Sequence, residues 1–372
     1  MELQGNKIAI ISPSNNTYSE TFIQVQKRGL SGQVFYYYGG VLPQYLENYG
    51  LLLSKRSNLV YKLKKKIGLT DFDAHELAFI KSIKKHKIQV VLAQYGTTAH
   101  RIVKICSYLE VPLVTHFHGF DASVKEVVKR CNNYKKVFAY SSKVIAVSRT
   151  MERMLIDIGC PKEKIVYNPC APQTEFMEII PEFLKKQFIS IGRFTNKKAP
   201  YYTIFAFKKV LEKYPDAHLF MAGDGELLNT CKNIIKLYNM QSQVTFLGVI
   251  TSVKFRSLLK ESLAFVQHSV TAVNGDMEGT PVAILEASIA GLPVISTFHA
   301  GIPDVVVHGK TGLLCEEHDV ETMSKHMLQV LDDVSFAKQL GQAGKKYIKQ
   351  NFSMTHHIDK LQKILTAVSK KA

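Results

Sequence analysis

Short apolar, β-branched runs alternate with longer amphipathic stretches along the chain, a rhythm that predicts parallel strands joined by crossover helices. The runs fall at 7–12, 33–38, 89–93, 113–117, 143–147 and 164–167, then at 188–192, 218–222, 243–247, 263–267 and 293–297. Between the two sets, Asn168-Pro169-Cys170-Ala171-Pro172-Gln173-Thr174-Glu175 carries two prolines and breaks both periodicities. A domain boundary is expected there, giving an α/β domain over 1–172 and a second over 173–352. Beyond it, Ile358, Leu361, Ile364 and Leu365 recur at helical spacing and predict a terminal helix.

One segment carries chemistry more densely than the rest: Gly275-Asp276-Met277-Glu278-Gly279-Thr280-Pro281-Val282-Ala283-Ile284-Leu285-Glu286-Ala287. Thr280 suits an N-cap, Pro281 a first helical position and Gly291 a stop, so a helix is expected over 281–290. Unpaired amides at Gly279, Thr280 and Val282, with the helix dipole behind them, attract phosphate. Glu278 and Glu286 are placed to accept hydrogen bonds from sugar hydroxyls. A capped helix carrying two solvated glutamates has the same spacing.

Two glutamates separated by seven residues, with Gly-Thr-Pro between them, resemble the donor-site motif of retaining GT-B glycosyltransferases of family 4. The resemblance implies an α/β GT-B fold, two Rossmann-like domains facing across a cleft, with the helix at about 353–372 packing back on the first domain. Nucleotide-sugar sites in such sheets lie outside the carboxyl ends of strands. Gly192-Arg193-Phe194-Thr195-Asn196-Lys197-Lys198 follows a predicted strand and is similar to the family's Gly-Arg…Lys loop, so Arg193 and Lys198 are expected on the donor diphosphate. The resemblance also makes Gly223 and Gly225 of Ala222-Gly223-Asp224-Gly225-Glu226 a turn beside the donor. It puts Gly248 against the nucleotide base. Ser269 of Gln267-His268-Ser269 is expected to shape the pocket, with His268 where the family has proline. Glu286 is assigned to the ribose hydroxyls and Glu278 to the transferred sugar.

Further matches are less complete. Gly301-Ile302-Pro303-Asp304 resembles a Gly-Ile-Pro-Glu element with aspartate for glutamate, which puts a donor contact by Asp304 in doubt, and Val307 to Leu314 resembles a family hairpin. In the first half, His116-Phe117-His118-Gly119-Phe120-Asp121 looks like the His-Gly-x-Asp loop whose histidine contacts the transferred sugar. His118 is preferred to His116 because it adjoins the glycine, and Asp121 is expected at the acceptor side or orienting the loop. Ser19-Glu20-Thr21-Phe22 resembles an acceptor loop of enzymes that build bacterial exopolysaccharides, so Ser19 and Glu20 are acceptor candidates or the cap of the first helix. Where many relatives carry Asn-Gly-Val-Asp, this chain has Asn168-Pro169-Cys170-Ala171, and nothing catalytic is assigned there. Asp71-Phe72-Asp73 follows no strand and is expected to cap a helix near Ala74, so neither a metal nor a cofactor is expected.

Lysine and arginine total 48 against 31 acidic residues, a net charge of +17 that calls for an anionic partner. The densest clusters, Lys62-Leu63-Lys64-Lys65-Lys66 and Lys81-Ser82-Ile83-Lys84-Lys85-His86-Lys87, are interleaved with apolar residues, a pattern that suits an anionic inner membrane surface. Solvated helix faces explain it nearly as well. No RNA-binding signature, finger or recognition helix points to nucleic acid. The six cysteines lack metal-ligand or disulfide spacing. The first residues lack a leader pattern and no apolar run is long enough to span a bilayer, so a cytoplasmic protein, peripheral on the inner face of the membrane, is expected.

Together these readings imply a retaining, metal-independent transferase. It moves a hexose from a nucleotide diphosphate sugar, UDP favoured, to a hydroxyl of a lipid-linked or oligosaccharide acceptor in cell-surface polysaccharide synthesis. A non-catalytic nucleotide-sugar-binding scaffold and a nucleotide-sugar epimerase remain open alternatives.

Overall fold

The computed structural model describes residues 6–15 and 20–369. The chain divides into two units. One holds the residues up to Val147, Met151–Asn168 and those from His357 onward; the other holds Ser148–Thr150 and Pro169–His356.

In the first unit the strands are β1 (Lys7–Ile11), β2 (Gln33–Tyr38), β3 (Tyr45–Leu46), β4 (Gly50–Leu51), β5 (Val90–Gln94), β6 (Leu113–His116), β7 (Lys143–Ala146) and β8 (Ile165–Tyr167). They form one sheet in the order β4-β3-β2-β1-β5-β6-β7-β8. The six longer strands pair in parallel, Ile8 opposite Val34 on one side and Val90 on the other. They read as apolar runs because helices cover both faces of a parallel sheet. The two-residue strands β3 and β4 add an antiparallel edge that periodicity did not predict. Leu361 and Leu365 of the Met354–Val368 helix are fully buried in this unit's core with Ile10, Tyr36 and Leu92.

The second unit continues with β9 (Gln187–Ile191), β10 (His218–Ala222), β11 (Val244–Gly248), β12 (Ala264–Val266), β13 (Val294–Thr297) and β14 (Gly312–Cys315), in the order β11-β10-β9-β12-β13-β14. Strand order reverses between β9 and β12, the switch point where the carboxyl-end loops diverge and leave a crevice. Both loops carry predicted site residues. The expected hairpin over 307–314 is corrected: residues 307–311 form a turn leading into β14, which pairs parallel with β13. A hairpin partner would require an antiparallel return strand.

All six cysteines are buried and unpaired. Asp73 caps the Ala74–His86 helix through a capping box with Glu76, and Arg101 pairs with both carboxylates. Among the described residues no helix is long and apolar enough to cross a membrane.

Candidate functional site

At the end of β9 the chain turns through Gly192 into a short 3₁₀ segment, Asn196–Lys198, that presents two adjacent lysines. Their ammonium groups diverge. Lys197 is buried and donates to the Asp276 carboxylate at 2.9 Å and the Met277 carbonyl at 3.1 Å. Lys198 reaches Oε1 of Gln267 and Oε2 of Glu278, both at 3.2 Å. Arg193 is exposed.

Glu278 is the centre of the arrangement. Its side chain is buried, and burial alone would raise its pKa, yet the positive charges of Lys198 and Lys197 overcome that and hold it at about 2. It is therefore ionised throughout the physiological range. One carboxylate oxygen meets Lys198, while the other, Oε1, is buried without a hydrogen-bond partner. An unpartnered carboxylate oxygen costs free energy unless something with a hydroxyl or N–H comes to it.

Two residues that motif reading missed fix Glu278 from behind. Its backbone amide donates to Nε2 of His299 at 3.1 Å, so the other ring nitrogen carries the proton and donates to Oε1 of Glu317 at 2.6 Å. Glu317 also accepts the Thr271 amide at 2.8 Å, and the two ends of the acidic loop are tied through one dyad. No sequence signal joins His299 to Glu317, because only the β13 and β14 carboxyl ends bring them together.

The helix behind the loop runs Val282–Ala290 and ends at Gly291 in the left-handed region, as the spacing predicted. Thr280 is not its cap: Pro281 occupies that position, and the Thr280 hydroxyl instead accepts the Cys170 amide at 3.2 Å. The helix therefore starts without a side-chain cap. Among the described residues the amides of Gly279, Val282 and Ala283 have no partner, an electropositive terminus beside Glu278. Glu286, one turn inside the helix, is buried, and burial reinforced by the Glu175 charge pushes its pKa up to about 8.

Around this core the predicted glycines bring backbones close. A Cβ on Gly223 would lie 1.9 Å from the Gly192 carbonyl oxygen, and the Gly223 amide donates to the Gly248 carbonyl, so the ends of β9, β10 and β11 are joined. Gly225 approaches the Phe194 backbone in the same way. Ser269 is fully buried; its hydroxyl accepts from Gln267 at 2.9 Å and its backbone is held by Thr297, which suits shaping the pocket. His268 is also buried and accepts the His318 amide at 2.9 Å. Asp304 accepts the Arg149 amide at 2.7 Å, a structural tie.

In the first unit His118 ends a chain of buried amides. Its Nε2 bonds Gln94 at 2.7 Å, Gln94 bonds Gln26 at 2.8 Å, and Gln26 bonds Nε2 of His357 at 3.1 Å. Burial, with the neighbouring His357, lowers the His118 pKa to about 3, so it works as a neutral ring. Of the two readings of Asp121 the structure carries the loop-orienting one: it is fully buried, and its carboxylate accepts the amides of Gly96, His118 and Gly119 at 2.8 to 3.0 Å. It shapes the histidine loop. Glu20 precedes the first helix without capping it by its side chain, and accepts the Tyr95 hydroxyl at 2.7 Å. Ser19 lies outside the described residues.

Two parallel α/β sheets, with basic and acidic loops meeting at the second sheet's switch point, define the class. Residues 174–347 match the family model "Glycosyl transferases group 1" and residues 56–176 match "Glycosyltransferase Family 4". The chain belongs to this family of GT-B glycosyltransferases. It is 28% identical over 65% of its length to WcaL of Escherichia coli, a protein named as a colanic acid biosynthesis glycosyltransferase, and the match spans 61% of that protein. It is 26% identical over 87% of its length, and 85% of the other, to an Escherichia coli protein named UDP-Gal:α-D-GlcNAc-diphosphoundecaprenol α-1,3-galactosyltransferase. Among solved structures, Anabaena HepE in complex with UDP and glucose superposes with a TM-score of 0.78 at 14% identity, covering 97% of this chain and all of that one.

Proposed function

We propose that the protein transfers a hexose from a nucleotide diphosphate sugar, a UDP-sugar by preference, to a hydroxyl of a lipid-linked oligosaccharide, with retention at the anomeric carbon, in cell-surface polysaccharide synthesis. The observation that carries this reading is the Glu278 carboxylate, ionised by Lys198 and left with one buried oxygen unpartnered beside an uncapped helix start. A sugar hydroxyl satisfies that oxygen, and a diphosphate satisfies the amides. The names of relatives support the donor and acceptor classes: one acts on UDP-Gal and a diphosphoundecaprenol-linked sugar, and HepE binds UDP and glucose.

The barrier to transfer is charge separation. As the glycosidic bond lengthens, negative charge grows on the departing diphosphate and positive charge on the sugar. Arg193, Lys198 and the amides of Val282 and Ala283 supply preorganised positive groups, which are stronger toward the transition state than the ground state. Glu278 holds the sugar and offsets its developing positive charge. Glu286 accepts the ribose hydroxyls, and Gly248 flanks the base through its backbone. In this reading the acceptor attacks on the face the diphosphate leaves, and the diphosphate takes its proton, so no metal or cofactor is required. In this reading His118 meets the sugar as a neutral hydrogen-bonding ring. In this reading the enzyme works at an anionic membrane face, where a lipid-linked acceptor resides, and the lysine clusters of the first unit support that position.

The test is donor turnover: purified protein is incubated with UDP-glucose or UDP-galactose and free UDP is measured with and without a lipid-linked acceptor. Slow UDP release alone, accelerated by acceptor, supports transfer. Tight donor binding with no UDP release under either condition would instead favour the non-catalytic scaffold.

A further inference from the structure

The Lys55–Lys66 helix follows a Ser54 cap and has no buried residue, although it carries Leu59, Val60 and Leu63. These side chains are 74%, 48% and 58% exposed, and Ile67 and Leu69 just beyond the helix are 59% and 69% exposed. Leu59, Leu63 and Ile67 are spaced four apart and form one outward stripe. Tyr61, on the opposite face, packs with Leu53, Ala74 and Ala78, which fixes the helix against the Ala74–His86 helix with its leucines outward. Scattered exposed leucines are ordinary, but a continuous stripe on a single helix is not.

Charge selects what covers the stripe. From Leu52 to Thr70 the sequence has Lys55, Arg56, Lys62, Lys64, Lys65 and Lys66 and no carboxylate. Among the described residues no ion pair uses Lys64, Lys65 or Lys66. Alongside lies an open groove of about 540 Å³ whose floor includes Leu77 and Ile80 and whose rim includes Lys64, Lys81 and Lys85. Apolar residues outward, flanked by long cationic side chains that can extend their charges sideways, match a bilayer interface: acyl chains meet the leucines and phosphates meet the ammonium groups.

We propose that this helix is a membrane-insertion element, lying in the plane of an anionic phospholipid bilayer with Leu59, Leu63 and Ile67 below the phosphate level. The proposal deepens the membrane-surface reading given above and rests on it, while standing apart from the donor chemistry of the second unit.

The chain contains no tryptophan, which allows a direct test. Leu63→Trp gives a single fluorophore on the stripe, and Leu184→Trp, at a position 82% exposed in the second unit, gives a control. With vesicles of equimolar phosphatidylglycerol and phosphatidylcholine, the full-length Leu63→Trp protein blue-shifts and the control does not; with phosphatidylcholine alone neither shifts. In co-sedimentation, Leu59→Ser/Leu63→Ser/Ile67→Ser and Lys64→Gln/Lys65→Gln/Lys66→Gln each weaken vesicle binding about a hundredfold with unchanged thermal unfolding. Wild-type binding by both triple variants overturns the helix assignment and leaves membrane association standing elsewhere on the protein. No binding of the wild-type protein to anionic vesicles overturns both. A blue shift at Leu63 that grows with protein concentration in the absence of vesicles assigns the stripe to contact between copies of the chain and overturns the proposal.

Discussion

The Lys198 ammonium lies 3.2 Å from the Glu278 carboxylate, and the two partners feel their contact differently. Glu278 is held well below an ordinary glutamate, whereas burial pulls Lys198 down despite the attraction of Glu278. The pair is thus poised for ligand more than for stability, since the desolvation of a buried pair offsets much of its attraction.

Removing one partner should be worse than removing both. Lys198→Met strips the buried Glu278 carboxylate of its ion-pair partner, leaving the more distant Lys197 charge, and should cost about 3–5 kcal/mol of stability. Lys198→Met/Glu278→Gln should recover most of that loss in chemical denaturation while remaining inactive in UDP release. A double variant no more stable than Lys198→Met contradicts the coupling.

Glu286 should make stability depend on pH in the opposite sense from a paired carboxylate. Its folded pKa, about 8, stands above the ordinary 4.5, so the folded state holds a proton that the unfolded chain has released. Stability from this group therefore falls as pH rises from about 4.5 to about 8. Glu286→Gln removes the effect, and should exceed the wild type by on the order of 3–5 kcal/mol at pH 9 while nearly matching it at pH 4, as read from denaturant midpoints. An unchanged difference across that range counts against the burial argument.

The His299–Glu317 dyad should act on the acidic loop. His299→Ala strips the acceptor from a buried amide, with a cost of about 1–3 kcal/mol. UDP-glucose turnover should fall with it, and Glu317→Gln, which keeps one oxygen for Thr271 or His299, should be milder than Glu317→Ala. Equal turnover in His299→Ala and wild type would remove the dyad from the account.

Gly301 is constrained by contact. A Cβ there would sit 2.0 Å from the carbonyl oxygen of Gly279, so Gly301→Ala must push the segment that carries Glu278. A loss of about 1–3 kcal/mol is expected. Thermal unfolding together with donor turnover checks it, and a wild-type result in both would show that the loops can separate freely.

A chelator such as EDTA should leave transfer unchanged. Asp73 serves as a helix cap paired with Arg101, so a strict requirement for a divalent cation would demand ligands other than this Asp-x-Asp triplet.

Much of the architecture was legible because buried parallel strands are written as apolar runs, and the switch-point loops follow directly from them. The two-residue strands Tyr45–Leu46 and Gly50–Leu51 are too short to carry a period. Arg193, Lys198, Glu278 and Glu286 could be picked out as a motif, but not the division of labour between Lys197 and Lys198, because neighbouring side chains on a tight turn diverge. The place of Thr280 before proline predicts a cap; a contact with Cys170, more than a hundred residues away, takes the hydroxyl instead. His299 and Glu317 were invisible for the same reason: their partnership exists only in three dimensions.

In the proposed function, Glu278 Oε1 receives a hydroxyl of the donor sugar. Calorimetric titration of wild type and Glu278→Gln with UDP and with UDP-glucose, or whichever UDP-sugar the wild type turns over, isolates it. UDP should bind both proteins with similar affinity, while the extra affinity contributed by the sugar should be lost in Glu278→Gln. Equal gains from the sugar in both proteins would contradict it.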